Sequence, residues 1–91
     1  MRTEPVEIYS DATNAAVMRH PGRNFPGMLI QGDTLHNLSS MATAALAGAE
    51  PDSEHWHDLK ELADELQARV NFYAQIMQEY GLQLPFSCGS E

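Results

Sequence analysis

Side chains suited to recognition are concentrated in the stretch RHPGRNFPGMLIQGD, residues 19–33. It places Arg19, Arg23, Phe25 and Gln31 among prolines and glycines. An arginine fork and an aromatic ring on a stiff loop lose little conformational entropy when a partner fixes them. The pattern predicts a partner-binding loop. In the alternative interpretation the arginines pair with nearby carboxylates and Phe25 enters the core.

Four carboxylates form a second candidate surface on a predicted helix: Asp58, Glu61, Asp64 and Glu65. Two of them stand four residues from a basic side chain, Asp64 from Lys60 and Glu65 from Arg69. Each such pair stabilises a helix by roughly a few tenths of a kcal/mol. One interpretation is an ordinary solvated helix face. The other is a negative surface that attracts a basic partner.

Catalytic and metal-binding chemistry is not predicted. His55 and His57 flank Trp56, but residues two apart on a helix point about 200° away from each other and do not share one ion. Ser39 and Cys88 stand in no nucleophile-elbow pattern. We therefore expect no catalytic residue, no metal and no cofactor.

The composition limits the classes of partner. The 91 residues hold thirteen Asp and Glu against five Lys and Arg, for a formal charge of −8 at pH 7. Nucleic-acid binding needs a basic footprint, so we expect a protein partner and no nucleic acid. The single cysteine favours a reducing cytoplasm. Without a long apolar run or a leader of charged and apolar residues, neither a membrane span nor secretion is expected.

Three short strands are predicted before residue 32. VEIYS alternates apolar and polar residues, as a half-buried strand does. The apolar runs AAVMRH and GMLIQG have the length of strands and are separated by Pro21-Gly22 and Pro26-Gly27. Because such corners interrupt a sheet, the segment predicts an irregular antiparallel hairpin.

Two helices are predicted after residue 32. The first has apolar residues three and four apart on one face: Leu35, Leu38, Met41, Ala42, Ala45 and Leu46. Asp33 is placed to cap its first turn, and Gly48 to end it in a left-handed conformation. The second helix runs from about Ser53 to Tyr80 and stops at Gly81. We expect the segment LQLPF that follows to pack back against the sheet.

These elements predict one domain over residues 1–91, of α+β class. A small N-terminal three-stranded antiparallel sheet packs against two antiparallel helices in the order βββαα. A tail over about 87–91 is expected to be disordered. The long helix has apolar residues outside its main stripe, notably Phe72, so either the tail covers them or they form a dimer or partner surface.

The stretch over residues 19–33, with VEIYSDATNAAV before it and GLQLPF at 81–86, resembles a family of small uncharacterised bacterial proteins. The resemblance spans nearly the whole chain and carries no established chemistry. Members of this sort look like the single-domain immunity proteins found beside polymorphic toxins. The resemblance implies a bacterial protein whose partner is a toxin domain.

Two functions from different classes are expected. The first is a non-enzymatic immunity protein that occludes the basic active site of a cognate toxin. Its acidic helix face supplies attraction, while Arg19, Arg23 and Phe25 supply fit. The alternative is a small regulatory or ligand-binding module, in one version a homodimer, with its pocket between the Pro-Gly loop and the first helix.

Overall fold

The computed structural model describes residues 1–87. Its elements are the strands β1 (Glu7–Ser10), β2 (Ala16–Arg19) and β3 (Gly27–Leu29), followed by the helices α1 (Gly32–Ala47) and α2 (Glu54–Glu79). The predicted α+β class and the order βββαα are confirmed.

The chain divides into two compact units, Met1–Gln31 with the strands and Gly32–Glu91 with the helices. The packing of the helices on the sheet, and the interpretation of residues 1–91 as a single domain, stay predictions. Most of the expected tail over 87–91, with Cys88, lies outside the described residues. Among residues 1–87 no helix is both long and apolar enough to cross a bilayer.

The strand unit is a three-stranded antiparallel sheet in the order β1-β2-β3. Glu7 lies opposite Arg19 and Ala16 opposite Leu29, and a bulge interrupts β1 between Ile8 and Ser10. The central strand β2 is half-buried, whereas β1 and β3 are exposed along their length. Within the strand unit nothing covers β1, so the half-buried strand predicted from VEIYS would need cover from outside this unit and stays a prediction.

The Pro21-Gly22 corner is a tight turn. The carbonyl of His20 accepts a hydrogen bond from the N–H of Arg23 at 3.1 Å, and Gly22 has φ of 84°. Proline at the second position and a positive φ at the third are the marks of a type II β-turn, and glycine adopts that φ without steric cost. The ring of His20 adds a hydrogen bond to the Pro21 carbonyl at 2.7 Å.

Both ends of α2 form where the sequence predicts them. The Ser53 hydroxyl accepts the N–H of Trp56 at 3.2 Å, which makes Ser53 the N-cap. At the other end Gly81 has φ of 66°, and the N–H of Leu82 reaches the carbonyl of Met77 at 2.9 Å. With the bond from Gly81 to Gln78 at 3.1 Å, this is a Schellman motif.

The ends of α1 differ from the prediction. The Asp33 carboxylate accepts the N–H of the next residue, Thr34, at 2.8 Å, so its capping bond is purely local. Gly48 does not have a positive φ, and its N–H bonds to the carbonyls of Ala44 and Ala45 in the last turn. A positive φ, of 61°, occurs instead at Asp52 before the second helix.

The helix pair packs through small residues on α1. Gly32, Ser39 and Ala42 are its buried positions, and Ala63 and Val70 are those of α2. The ring of Tyr73 lies where a side chain on Gly32 would stand. This close approach turns the buried face of α1 toward its small residues.

The predicted apolar face of α1 is therefore only partly right. Leu35 and Leu46 are half-buried, whereas Leu38 is 39% and Met41 is 67% exposed. Ser39, absent from the predicted face, is 2% exposed, and its hydroxyl lies 3.3 Å from Oε1 of Gln67. Ser39 is thus a buried polar residue with a hydrogen-bond partner, in a position where the apolar pattern predicts no buried residue.

The segment after α2 folds back onto the helix pair. Phe86 stacks on His36 with ring centroids 4.2 Å apart and nearly parallel planes, and its ring lies 6.2 Å from that of Tyr73. We expected LQLPF to pack against the sheet, whereas the ring contacts of Phe86 are with His36 of α1 and Tyr73 of α2. Phe72 is not covered by it and is 63% exposed.

Candidate functional site

Arg19, a predicted contact residue, is bound within the strand unit. Its Nε and Nη2 donate to the two carboxylate oxygens of Glu7 at 2.7 and 2.8 Å. Its Nη1 donates to the carbonyl of Arg23 at 3.0 Å. One guanidinium therefore ties β1 to β2 and also holds the loop beyond β2. For Arg19 this agrees with the alternative interpretation, in which the arginines of the stretch pair with nearby carboxylates.

Pairing with Arg19 strongly lowers the pKa of the Glu7 carboxyl. The hydrogen bonds from Arg19, and then that from the Tyr9 hydroxyl at 3.0 Å, lower the pKa of Glu7 to about 2. In return the carboxylate raises the pKa of the Arg19 guanidinium. Both side chains thus stay ionised across the physiological range, so the loop is held in one arrangement at neutral pH.

The loop held in this way presents Arg23 and Phe25. Phe25 is 82% exposed, so it does not enter a core within the strand unit. Both residues line a groove of about 280 Å³ whose wall is completed by Met18, Met28 and other residues of the same unit. The backbone of Arg23 is fixed by the hydrogen bonds of this turn, and the exposed ring of Phe25 lies two residues beyond it. An aromatic ring and a guanidinium fork in one groove are suited to binding a partner.

Gln31, the fourth residue predicted in this stretch, lies between β3 and α1. It is exposed, and it lines neither the groove of Arg23 nor any other described cavity of the strand unit. The structure therefore places Arg23 and Phe25 together and leaves Gln31 as a separate surface residue.

The four predicted acids all lie on the exposed face of α2. Asp64 accepts from Lys60 at 2.8 Å, and Glu65 stands 3.3 Å from Arg69. Among residues 1–87, no basic side chain pairs with Asp58 or Glu61. These two carboxylates therefore contribute uncompensated negative charge to the face.

A shallow groove of about 450 Å³ runs along the same face and is lined by Glu61, Asp64, Glu65 and three neighbours. One neighbour, His57, stands 3.7 Å from the carboxylate of Asp52, and its ring meets Trp56 edge-on. Within the described part of the chain no three His, Cys, Asp or Glu side chains form a group able to hold a metal ion.

Charge is distributed very unevenly between the two units. Residues 1–31 carry three arginines and three carboxylates, whereas residues 32–91 carry two basic and ten acidic side chains. The whole net charge of −8 therefore belongs to the helix unit. Long-range electrostatic attraction of a basic partner would act on that unit, while the strand unit offers apolar contact and one loop.

A family model described as a family of unknown function, DUF6959, matches residues 1–86. The chain belongs to DUF6959. The match covers both units, so the predicted membership of an uncharacterised family is confirmed. No curated protein and no solved structure matches the chain. The resemblance to immunity proteins stays a prediction, and DUF6959 itself supplies no activity.

Two features of this DUF6959 chain were not defined by the sequence, one of them unforeseen and the other indicated only in part. The first is the ion pair between Glu7 and Arg19. Their opposite charges in β1 and β2 predict this pair only once the strand register, which sets Glu7 opposite Arg19, is known. The second is an apolar groove of about 410 Å³ on the helix pair, where Phe72 stands with Leu35, Tyr73 and Ile76. The apolar residues outside the main stripe of α2 indicated such a surface, without its boundary.

Proposed function

We propose that this chain is a non-enzymatic binding protein, and most concretely an immunity protein that neutralises a cognate bacterial toxin domain by occluding its basic active site. The observation that carries the proposal is the concentration of the entire net charge on the helix unit, where Asp58 and Glu61 lie exposed and unpaired on α2. A basic cleft is the surface that such a face attracts most strongly.

Two kinds of contact would share the work of binding. The acidic face of α2 accelerates encounter, because long-range attraction raises association rates in a manner that salt suppresses. Arg23 and Phe25 supply short-range fit, Arg23 from a turn that is already hydrogen-bonded. Interfaces owe most of their affinity to a few aromatic and arginine anchors, so loss of either side chain should mainly speed dissociation.

The test begins with the protein encoded beside this chain, taken as the candidate toxin domain. Co-expression should restore growth, and the two proteins should co-purify. The double variant Asp58→Asn, Glu61→Gln should lower the association rate severalfold at low salt, with a smaller loss at high salt. Asp11→Asn, which removes an exposed carboxylate of the strand unit, is the matched control and should leave the rate unchanged.

The contrary result is equally definite. If the chain neither binds the adjacent toxin domain nor changes sensitivity to it, the immunity function is wrong. If it binds with rates that the double variant and salt leave unaltered, the acidic face is not the contact. A cytoplasmic location is part of the proposal, since a toxin must be met where it would act on its own cell.

A second candidate, a ligand-binding or dimeric module, draws on the apolar groove beside Phe72. Light scattering after size exclusion decides the dimer version, in which mass should rise with concentration and fall in Phe72→Glu. The expected position of a ligand pocket, between the Pro-Gly loop and α1, stays a prediction. The charge of each copy opposes self-association, which is why this candidate comes second.

A further inference from the structure

Arg23 differs from the other four Lys and Arg side chains of the protein. Arg2, Arg19, Lys60 and Arg69 each form an ion pair with a nearby carboxylate. Within residues 1–87 no carboxylate pairs with the guanidinium of Arg23, although the chain carries thirteen acidic residues. Within that part of the chain its guanidinium fork thus has no ionic partner, and its N–H donors can meet a carboxylate brought by a ligand.

The surroundings of Arg23 favour an acceptor attached to an apolar chain. Its groove is lined by Phe25, Met28 and Leu29, which are 82%, 60% and 54% exposed. A carboxylate bound there would meet a guanidinium fork of matching geometry. The apolar groups next to that carboxylate in the ligand would cover the exposed apolar side chains of the groove. A free inorganic anion would use the first contact only.

Three residues of the groove, Gly27, Met28 and Leu29, form the strand β3. β3 pairs with β2 on one side, and the order β1-β2-β3 leaves its other side as an edge of the sheet. Unpaired N–H and C=O groups on an edge strand are a template for an added strand, with pockets beside the edge selecting its side chains. An extended segment is thus the form of ligand that uses edge and groove together.

We propose that the Arg23 groove binds an extended segment of a protein partner, which pairs with the outer edge of β3 and places an Asp or Glu carboxylate on Arg23 between apolar side chains. This rests on the proposed function in so far as that function makes a protein the partner. The strand unit balances three arginines with three carboxylates, so its own charge does not repel a single acid. A polyanion such as nucleic acid is disfavoured by the charge of the whole chain.

The test is selection of a displayed library of random nonapeptides on the full-length protein. Enriched sequences should carry one Asp or Glu flanked by apolar residues. For the best synthetic peptide, Arg23→Ala and Phe25→Ala should each weaken binding roughly tenfold or more. Arg69→Ala, which removes an exposed arginine of α2, is the matched control and should change little.

Two further measurements separate recognition from folding. Arg23→Lys keeps the charge and loses the fork, so it should retain only part of the affinity. The carbonyl that accepts from Arg19 belongs to the backbone of Arg23 and is present in both variants. N-methylation of alternate peptide N–H groups should abolish binding, because it removes the bonds to β3.

The inference is overturned if no peptide is enriched, if the enriched peptides lack an acid, or if Arg23→Ala binds them as well as wild type. It is also overturned if the occupant is a second copy, seen as a dimer that dissociates in Arg23→Ala. The protection assay decides the toxin function separately. Peptide binding by a chain that protects no cell would contradict that function and leave the groove in place.

Discussion

Replacing Val70 by alanine tests the packing of the helix pair. Val70 is 5% exposed and is one of the two buried positions of α2. Removing two methyl groups costs about 1.6 kcal/mol at about 0.8 kcal/mol each. The cavity left against α1 raises the expected loss to about 2–3 kcal/mol. The control is Leu62→Ala in the same helix, where the side chain is 52% exposed and the loss should be about 1 kcal/mol or less.

The assay is urea unfolding followed by far-UV circular dichroism, which reports on α1 and α2. Val70→Ala should lower the transition midpoint without changing the slope, since the surface exposed on unfolding is nearly the same. Should Val70→Ala cost no more than Leu62→Ala, the face that α2 turns toward α1 has been misassigned, and with it the burial of Ser39 and Ala63.

Three further predictions concern local structure. Ser53→Ala should destabilise the helices by about 1 kcal/mol in the same assay through loss of the N-cap, whereas Ser40→Ala on the exposed side of α1 should not. Gly22→Ala should cost about 1–2 kcal/mol, because alanine is strained at a positive φ, and backbone NMR shifts of the turn should move. The Glu7 carboxyl should titrate near pH 2 by NMR, and its midpoint should rise toward 4.5 in Arg19→Ala. Since its folded pKa is lowered, the stabilisation by this ion pair is complete above about pH 4.5 and is lost as the pH falls toward 2.

Local signals in the sequence were sufficient for the order of the elements and for both ends of α2. Ser53 and Gly81 bound α2 because a hydroxyl acceptor and a positive φ are requirements of single residues. The face of α1 was harder to predict, since it depends on the partner helix. Tyr73 occupies the space beside Gly32, so a small residue is required there. Ser39 is buried because its hydroxyl is hydrogen-bonded, and a pattern of apolar residues does not predict the burial of a polar side chain.

The candidate site was predictable as a list of residues and not as an arrangement. Phe25 and Arg23 lie in one groove, as a stiff recognition loop requires. Arg19 differs from them because the strand register sets it opposite Glu7, and register follows from long-range pairing that a short stretch does not encode. On α2, the i,i+4 spacing correctly indicated which acids are neutralised, and so which two remain uncompensated.

The small side chains between α1 and α2 make melting temperature a sensitive reporter of ligand binding. Ala42, Ala63 and Val70 are the buried apolar residues of the described chain, and side chains of this size contribute little free energy on burial. A ligand at about 100 times its Kd adds about 2.7 kcal/mol to the native state. For a domain of this length that is a rise of roughly 10–20 °C. Thermal scans against candidate toxins and peptides will therefore rank them before any contact residue is known.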